Sequence, residues 1–189
     1  STTTALLATR FLRLNPGATI LYNLICSRAV PEIIAEHGGK GIRTKNGHSY
    51  MKQIMADTGA VFAGEHSGHY YFADNYRADS GLIATMGILG EMCRTGKKLS
   101  GIRKPLERYA SSGEINTTVA DIDKVIAQIG RDYADHTQDH LDGLTVDCGS
   151  WWFNVRPSNT EPLLRLNLEA STRDECDTHV AELLSVITA

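Results

Sequence analysis

A short polar segment between strand-like stretches is the part of the sequence best suited to chemistry. Residues 64–69 read Gly-Glu-His-Ser-Gly-His. Their carboxylate, hydroxyl and imidazoles can hydrogen-bond neighbouring hydroxyl groups of a sugar, and an imidazole can also move a proton near neutral pH. The same composition is typical of a plain polar turn between two strands, so this segment alone leaves both interpretations open.

A second segment favours the binding interpretation. Residues 156–162 read Arg-Pro-Ser-Asn-Thr-Glu-Pro and separate two strand-like stretches, 151–155 and 163–168. A guanidinium offers a planar fork of donors to phosphate oxygens, and hydroxyls and loop amides can complete the cradle. A sugar-binding loop and a phosphate-binding loop in one chain together predict a phosphorylated sugar as ligand.

The first half of the chain must position the sugar loop, and its pattern is α/β. Helices are predicted over 4–14, 30–37, about 49–58 with Ser49 as its cap, and 79–96, alternating with strands near 18–26, 59–63 and 70–72. This alternation predicts a three-layer α/β domain with a mixed sheet, in which ligands bind at strand ends. In the last helix the residues expected to face the core are Leu82, Met86, Leu89 and Cys93.

A change of composition divides the chain. Residues 101–113 are rich in Gly, Ser and charged residues, which predicts domains at 1–103 and 114–189 joined by a linker at 104–113. The second domain reads as a small α+β unit, an antiparallel sheet backed by two helices. Thr172 and Glu175 have capping-box spacing at the start of the last helix.

Composition narrows the class of protein. The chain has 42% hydrophobic residues and a net charge of −3, which argues against a general nucleic-acid or membrane surface. No apolar run approaches the roughly 18 residues of a membrane span, and no signal peptide is visible. Four widely spaced cysteines without a C-x-x-C pair suggest reduced, mostly packed thiols. We therefore expect a cytoplasmic protein with neither nucleic-acid nor membrane partners.

In combination, the motifs resemble the α-D-phosphohexomutases, the phosphomannomutase/phosphoglucomutase family. Three segments carry the resemblance: the Lys-Asn-Gly-His motif at 45–48, the sugar loop at 64–69 and the phosphate loop at 156–160. The resemblance spans nearly the whole chain and implies the family's third and fourth domains. One departure is Ile25, where many relatives place a lysine that can touch the ligand.

The resemblance implies an enzyme that interconverts hexose 6-phosphate and hexose 1-phosphate through a bisphosphorylated sugar. Such enzymes carry a phosphoserine loop (Ser-His-Asn-Pro-like) and a magnesium loop (Asp-Gly-Asp-x-Asp-Arg), and neither occurs in this sequence. The resemblance therefore implies that Mg²⁺ and a glucose 1,6-bisphosphate-type activator serve the full-length enzyme. The partners are then a phosphorylated hexose and the missing N-terminal domains. We expect no metal ligands in this chain, and no mutase activity from it alone.

The resemblance also implies residue roles. His69 is the candidate proton shuttle, with a structural histidine as the alternative; His48 is a ligand contact, or only the beginning of a helix. The remaining candidate binding residues are Glu65, Ser67, Arg156, Ser158, Asn159 and Thr160.

The resemblance also bears on the kind of sugar, and it leaves rival classes of protein to consider. Asn159 and His66 favour the mannose/glucose branch of the family over its glucosamine branch, whereas mannose and glucose are not distinguished. Two other classes stay open: a stand-alone, non-catalytic phosphosugar-binding module, and a structural or interaction protein on a mutase scaffold.

Overall fold

The computed structural model describes residues 1–158 and 161–188. The chain divides into two compact units, Ser1–Arg108 and Tyr109–Ala189. The range predicted as a linker, 104–113, contains a 3₁₀ turn at Lys104–Leu106 and the first residues of a strand that begins at Ala110. In the described part of the chain, no helix has the length and apolar character needed to cross a membrane.

The first unit is built on a mixed five-stranded sheet with helices, as predicted. In this sheet β2, β1 and β3 are parallel, whereas β3, β4 and β5 pair antiparallel, in the order β2-β1-β3-β4-β5. The elements are α1 (Thr2–Leu14), β1 (Thr19–Asn23), α2 (Ala29–Glu36), β2 (Lys40–Thr44), α3 (His48–Thr58), β3 (Phe62–Gly64), β4 (Tyr70–Phe72), β5 (Ala78–Asp79), α4 (Gly81–Thr95) and α5 (Leu99–Arg103).

The period of two along the central strands explains why helices cover both faces of this sheet. Towards α1, the ring of Phe11 stacks on Phe62 with centroids 5.1 Å apart and lies 5.7 Å from the ring of Phe72. The residues next to these in the strands point to the opposite face of the sheet, where they pack on α3. That buried cluster contains Leu21, Ala63, Tyr71, Met51 and Met55.

The prediction that the apolar stripe of α4 faces the core is wrong, because the stripe faces outward. Leu82 is 75% exposed and Met86 60% exposed, and Leu89 and Cys93 are also exposed. The helix instead turns its small residues towards α1. A side chain at Gly87 would bring a Cβ to 2.9 Å from Leu7 Cδ2, so glycine is what lets the two helices approach.

A buried carboxylate completes the contact between α4 and α1. Glu91 is only 2% exposed and accepts hydrogen bonds from three arginines. Arg10 and Arg13 of α1 lie 3.1 and 2.6 Å away, and Arg94 of α4 lies 2.7 Å away. Burial raises the pKa of Glu91, but the three guanidiniums outweigh that effect and hold it below its usual value. A carboxylate in this setting stays charged, which hydropathy alone does not predict.

The beginning of α3 also differs from the prediction. Gly47 is the N-cap residue, with φ at +126°, and Ser49 lies inside the first turn, so the proposed Ser49 cap is wrong. Glycine at Gly47 allows the positive φ that turns the chain from the Lys-Asn-Gly segment into the helix. His48 is therefore the first helical residue.

The second unit is an antiparallel sheet backed by two helices, as predicted. Its strand order is β6-β10-β9-β8-β7. Thr172 Oγ1 accepts a hydrogen bond from the Glu175 amide at 3.2 Å, as the spacing predicts. The elements are β6 (Ala110–Thr117), α6 (Ile122–Asp132), β7 (Thr137–Asp139), β8 (Leu144–Asp147), β9 (Trp152–Pro157), β10 (Leu164–Ala170) and α7 (Arg173–Ile187).

Candidate functional site

The predicted sugar loop is the tight connection between β3 and β4. The amide of Glu65 donates to the carbonyl of His69 at 2.9 Å, which closes the loop, and Gly68 takes a φ of +95° at its tip. A residue other than glycine rarely adopts that φ. The loop therefore holds its side chains in fixed directions over the ends of β3 and β4.

Glu65 is the most enclosed of the binding residues predicted in the first unit, at 6% exposed. Ser67 Oγ donates to its Oε2 at 3.0 Å, and Tyr71 Oη donates to its Oε1 at 3.1 Å. Each oxygen of an ionised carboxylate has lone pairs for more than one donor. The carboxylate is thus oriented by two hydroxyls and still has acceptor capacity for a ligand.

Asn23, at the end of β1, ties the sugar loop to the 45–48 motif. Its Oδ1 accepts a hydrogen bond from the His66 amide at 2.9 Å, and its Nδ2 donates to Asn46 Oδ1 at 2.5 Å. Asn23 is buried, and both bonds are partly shielded from water. The side chain of His66 bonds Ser1 Oγ at 2.8 Å.

His69 pairs with a carboxylate that the sequence did not reveal. Its Nδ1 lies 2.7 Å from Asp79 Oδ2, and Asp79 Oδ1 accepts from the Tyr70 amide at 2.8 Å. The hydrogen bond to Asp79 raises the pKa of His69, more than partial burial lowers it. Burial raises the pKa of Asp79, but the bonds from His69 and the Tyr70 amide keep it below its usual value.

These side chains meet in one cavity of about 460 Å³. It brings together the four predicted first-unit residues and Gly47 of the 45–48 motif, and it adds Lys52, Tyr71 and Asp79, which sequence reasoning missed. Lys52 follows His48 by four positions in α3, which is the spacing of neighbours on one helix face. The lining residues are Gly47, His48, Lys52, Glu65, Ser67, His69, Tyr71 and Asp79.

The predicted phosphate residue Arg156 lies in strand β9, not in a loop. It is 4% exposed, and its Nη2 lies 2.9 Å from Glu114 Oε2. The other oxygen of Glu114 lies 3.4 Å from Arg165 Nη1. One carboxylate therefore partly neutralises the charge of two guanidiniums, which face each other across β9 and β10.

The surroundings of Arg156 leave hydrogen-bonding atoms free. Within the described residues, Arg156 Nε, Arg165 Nε and Asn167 Nδ2 are buried donors without a partner, and Asn154 Oδ1 is a buried acceptor without one. Arg156 pairs with Arg165, and Asn154 with Asn167, at adjacent positions of one sheet face. Because buried donors are normally satisfied, this face has capacity for a further acceptor such as an anion.

The rest of the predicted phosphate loop is only partly described. Ser158 donates its amide to the Leu163 carbonyl at 2.8 Å, and its Oγ accepts from the Glu161 amide at 3.3 Å. Asn159 and Thr160 lie outside the described residues. Across residues 1–158 and 161–188, no group of three or more His, Cys, Asp or Glu side chains is arranged to hold a metal ion.

Comparison with known proteins identifies the class from both units. Residues 1–109 match the family model for the α/β/α domain III of phosphoglucomutase/phosphomannomutase, and residues 114–185 match the model for its C-terminal domain. The chain therefore belongs to the phosphoglucomutase/phosphomannomutase family.

Individual relatives agree with this assignment. The chain is 41% identical over 184 residues to a phosphomannomutase of Methanocaldococcus jannaschii, a match that covers 97% of the chain and 41% of that protein. It is 36% identical over 167 residues to a phosphohexose mutase of Xanthomonas campestris, covering 87% of the chain and 37% of the relative. The crystal structure of a family protein from Burkholderia thailandensis superposes with a TM-score of 0.82 at 32% identity, over 98% of this chain and 41% of the other. The chain thus spans about two fifths of the length of these relatives.

Proposed function

We propose that this chain supplies the sugar-binding and phosphate-binding parts of a phosphohexomutase. In that enzyme, hexose 6-phosphate and hexose 1-phosphate interconvert through a bisphosphorylated sugar. The observation that carries the proposal is the oriented carboxylate of Glu65. It is held by Ser67 and Tyr71, with His48, Lys52 and His69 around the same cavity.

The cavity suits sugar hydroxyls better than a phosphate group. Glu65 can accept hydrogen bonds from adjacent hydroxyls, whereas it would repel a phosphate. In the proposal, His69 accepts the proton of the hydroxyl that becomes phosphorylated, since an imidazole titrates near neutral pH. His48 and Lys52 donate to sugar oxygens from the first turns of α3.

The second unit is proposed to bind the phosphate that is not being transferred. The support is the pair of guanidiniums of buried Arg156 and partly buried Arg165, each with a buried Nε that lacks a partner among the described residues. Ser158, Asn159 and Thr160 complete the predicted loop. Arginine is the side chain best matched to phosphate oxygens because its donors form a planar fork.

The chemistry of phosphate transfer is proposed to come from elsewhere in the longer enzyme. The residues described here offer no set of magnesium ligands. As the resemblance to the family implies, the proposal places the serine phosphate and Mg²⁺ on the N-terminal domains, and no step is assigned to the metal in this chain. A purified sample of this chain with hexose phosphate, bisphosphate activator and Mg²⁺ should show only background mutase activity.

Isothermal titration of the chain tests the binding function. Mannose 6-phosphate and glucose 1,6-bisphosphate should bind, and unphosphorylated mannose should bind much more weakly or not at all. Glu65→Gln should weaken binding about 10-fold, as loss of one charge-assisted hydrogen bond implies. Glu107→Gln, which alters an exposed ion pair with Arg103, is the matched control and should change nothing. Equal affinity for mannose and its phosphate would overturn the proposal.

A further inference from the structure

Asp79 has the geometry of a residue whose purpose is to hold an imidazole. Both of its carboxylate oxygens form hydrogen bonds with two consecutive residues. Oδ2 lies 2.7 Å from His69 Nδ1, and Oδ1 accepts from the Tyr70 amide at 2.8 Å. The second bond fixes the carboxylate against the backbone of the residue next to the histidine. Asp79 also lies opposite Tyr71 in the β4–β5 pairing, so the strand register sets its position.

This arrangement determines which ring nitrogen carries the proton. A carboxylate accepts hydrogen bonds and cannot donate one when ionised, so Nδ1 of His69 must be the protonated nitrogen of the neutral ring. The lone pair then belongs to Nε2. An acceptor bonded to one ring nitrogen fixes a histidine tautomer in the same way wherever the other nitrogen has to remain basic.

The charges around the ring come from three elements. Glu65 lies in the same loop, Asp79 lies in β5, and His48 and Lys52 line the cavity from α3. Glu65 and Asp79 favour the charged imidazolium. Lys52 acts on Asp79 by favouring its ionised form. The carboxylate therefore stays available as an acceptor over the range in which the histidine titrates.

We infer that Asp79 is the positioning residue of His69, which it holds in the Nδ1-protonated tautomer so that Nε2 can accept a proton from a sugar hydroxyl. The catalytic half of this inference rests on the proposed function. In that step the hydroxyl oxygen forms a bond to the phosphorus of the phosphoserine donor, and the hydroxyl proton moves to Nε2. The serine P–O bond breaks, and the serine oxygen keeps the bonding electron pair and takes up a proton from water. In the reverse direction Nε2 returns the proton.

Histidine ring NMR of this chain tests the inference without any ligand or activity. In a two-dimensional ¹H–¹⁵N spectrum that detects ring nitrogens, the wild-type His69 should show a protonated Nδ1 and a bare Nε2 above its pKa. Asp79→Asn should lower the pKa of His69 and produce a mixture of tautomers, because an amide can either accept from or donate to Nδ1. The amide oxygen can still accept from the Tyr70 amide, so the hairpin should persist.

The chain provides a matched control for this substitution. His179 Nδ1 lies 2.7 Å from Glu182 Oε2 in α7, an exposed pair of the same type in the second unit. Glu182→Gln should leave the pKa and tautomer of His69 unchanged. Asp79→Glu keeps the charge but moves it, and it should retain more of the raised pKa than Asp79→Asn does.

The outcomes separate this inference from the proposed function. A dominant Nε2-protonated tautomer in the wild type, or an unchanged His69 in Asp79→Asn, would overturn the positioning role even if the chain binds phosphosugars. If Asp79→Asn fails to fold, the tautomer of His69 in the wild type and the pKa of His69 in Asp79→Glu still test the positioning role. A confirmed tautomer in a chain that binds no phosphosugar would leave the positioning role intact and refute the function.

Discussion

At the scale of residues, the geometry of Glu65 depends on hydroxyl partners as much as on its own charge. Tyr71→Phe removes the donor that lies 3.1 Å from Glu65 Oε1 and leaves the ring in place. We expect the free energy of unfolding to fall by about 1.5–3 kcal/mol, the usual value of a hydrogen bond to a charged group. Urea denaturation measures this difference.

The pKa of Tyr71 sets the pH range over which Tyr71→Phe should destabilise the protein. Burial and the neighbouring Glu65 raise the pKa of Tyr71, so its hydroxyl remains a donor throughout the neutral range. The destabilisation by Tyr71→Phe should therefore be constant between about pH 6 and pH 9. Tyr50→Phe, at a half-exposed position, is the control and should have almost no effect. A loss that disappears within that range would show that another group supports Glu65.

Arg156 provides the second prediction at this scale. Arg156→Lys keeps the positive charge but removes the planar fork, and we expect phosphosugar affinity to fall about 10- to 100-fold. Titration calorimetry measures the change. Arg108 is a poor control because it bonds both Glu32 and Glu36. Arg131→Ala on the exposed side of α6 is better matched, and equal losses in the two variants would remove Arg156 from the phosphate site.

The residues that sequence reasoning found and missed differ in a physical way. Side chains with obvious chemistry in one short segment, such as Glu65 and His69, were identified directly. Lys52 was missed although its four-residue distance from His48 is a readable helical signal. Asp79 has no such signal, because it reaches His69 only through the pairing of β4 with β5.

At the scale of elements, the contact between β3 and α1 positions the sugar loop. A side chain at Gly64 would place a Cβ 2.5 Å from Thr4 Cγ2, and Thr4 is itself fully buried. Gly64→Ala should therefore lower the free energy of unfolding by about 1–3 kcal/mol, the usual range for overpacking a core. Thermal or urea unfolding followed by circular dichroism measures the effect.

A second glycine serves as the control for this substitution. Gly81 is the first residue of α4, and a Cβ there would meet nothing within 4 Å. Gly81→Ala should be neutral or slightly stabilising, by up to about 1 kcal/mol, because alanine favours helix. If the two substitutions had the same effect, close packing at Gly64 would not be what fixes the loop.

Helix α4 shows where prediction from periodicity fails. The boundaries and type of the helix were predicted well, but its orientation was not. An apolar stripe normally faces the core, yet here small residues and the Glu91–arginine cluster form the contact with α1. The partner helix decides which face is buried, and the apolar periodicity of α4 does not contain that information.

At the scale of the whole molecule, each unit has its own hydrophobic core. The core of the second unit joins strands β8, β9 and β10 to α6 and α7 through residues such as Val146, Phe153 and Leu183. The ion pairs of Arg108 belong to the first unit, so a cut after this residue breaks none of them. A separate core is the usual property of a domain that folds alone.

We therefore expect residues 109–189 to fold when expressed without the first unit. Both tryptophans of the chain, Trp151 and Trp152, lie in this segment and are buried. The Nε1 atom of Trp152 donates to Glu169 at 3.0 Å. Because the first unit has no tryptophan, tryptophan fluorescence from the complete chain reports the second unit alone. The isolated segment should show the same blue-shifted emission as the complete chain and lose it in one cooperative urea transition. A red-shifted spectrum without a transition would mean that the second unit needs other parts of the protein to form its core.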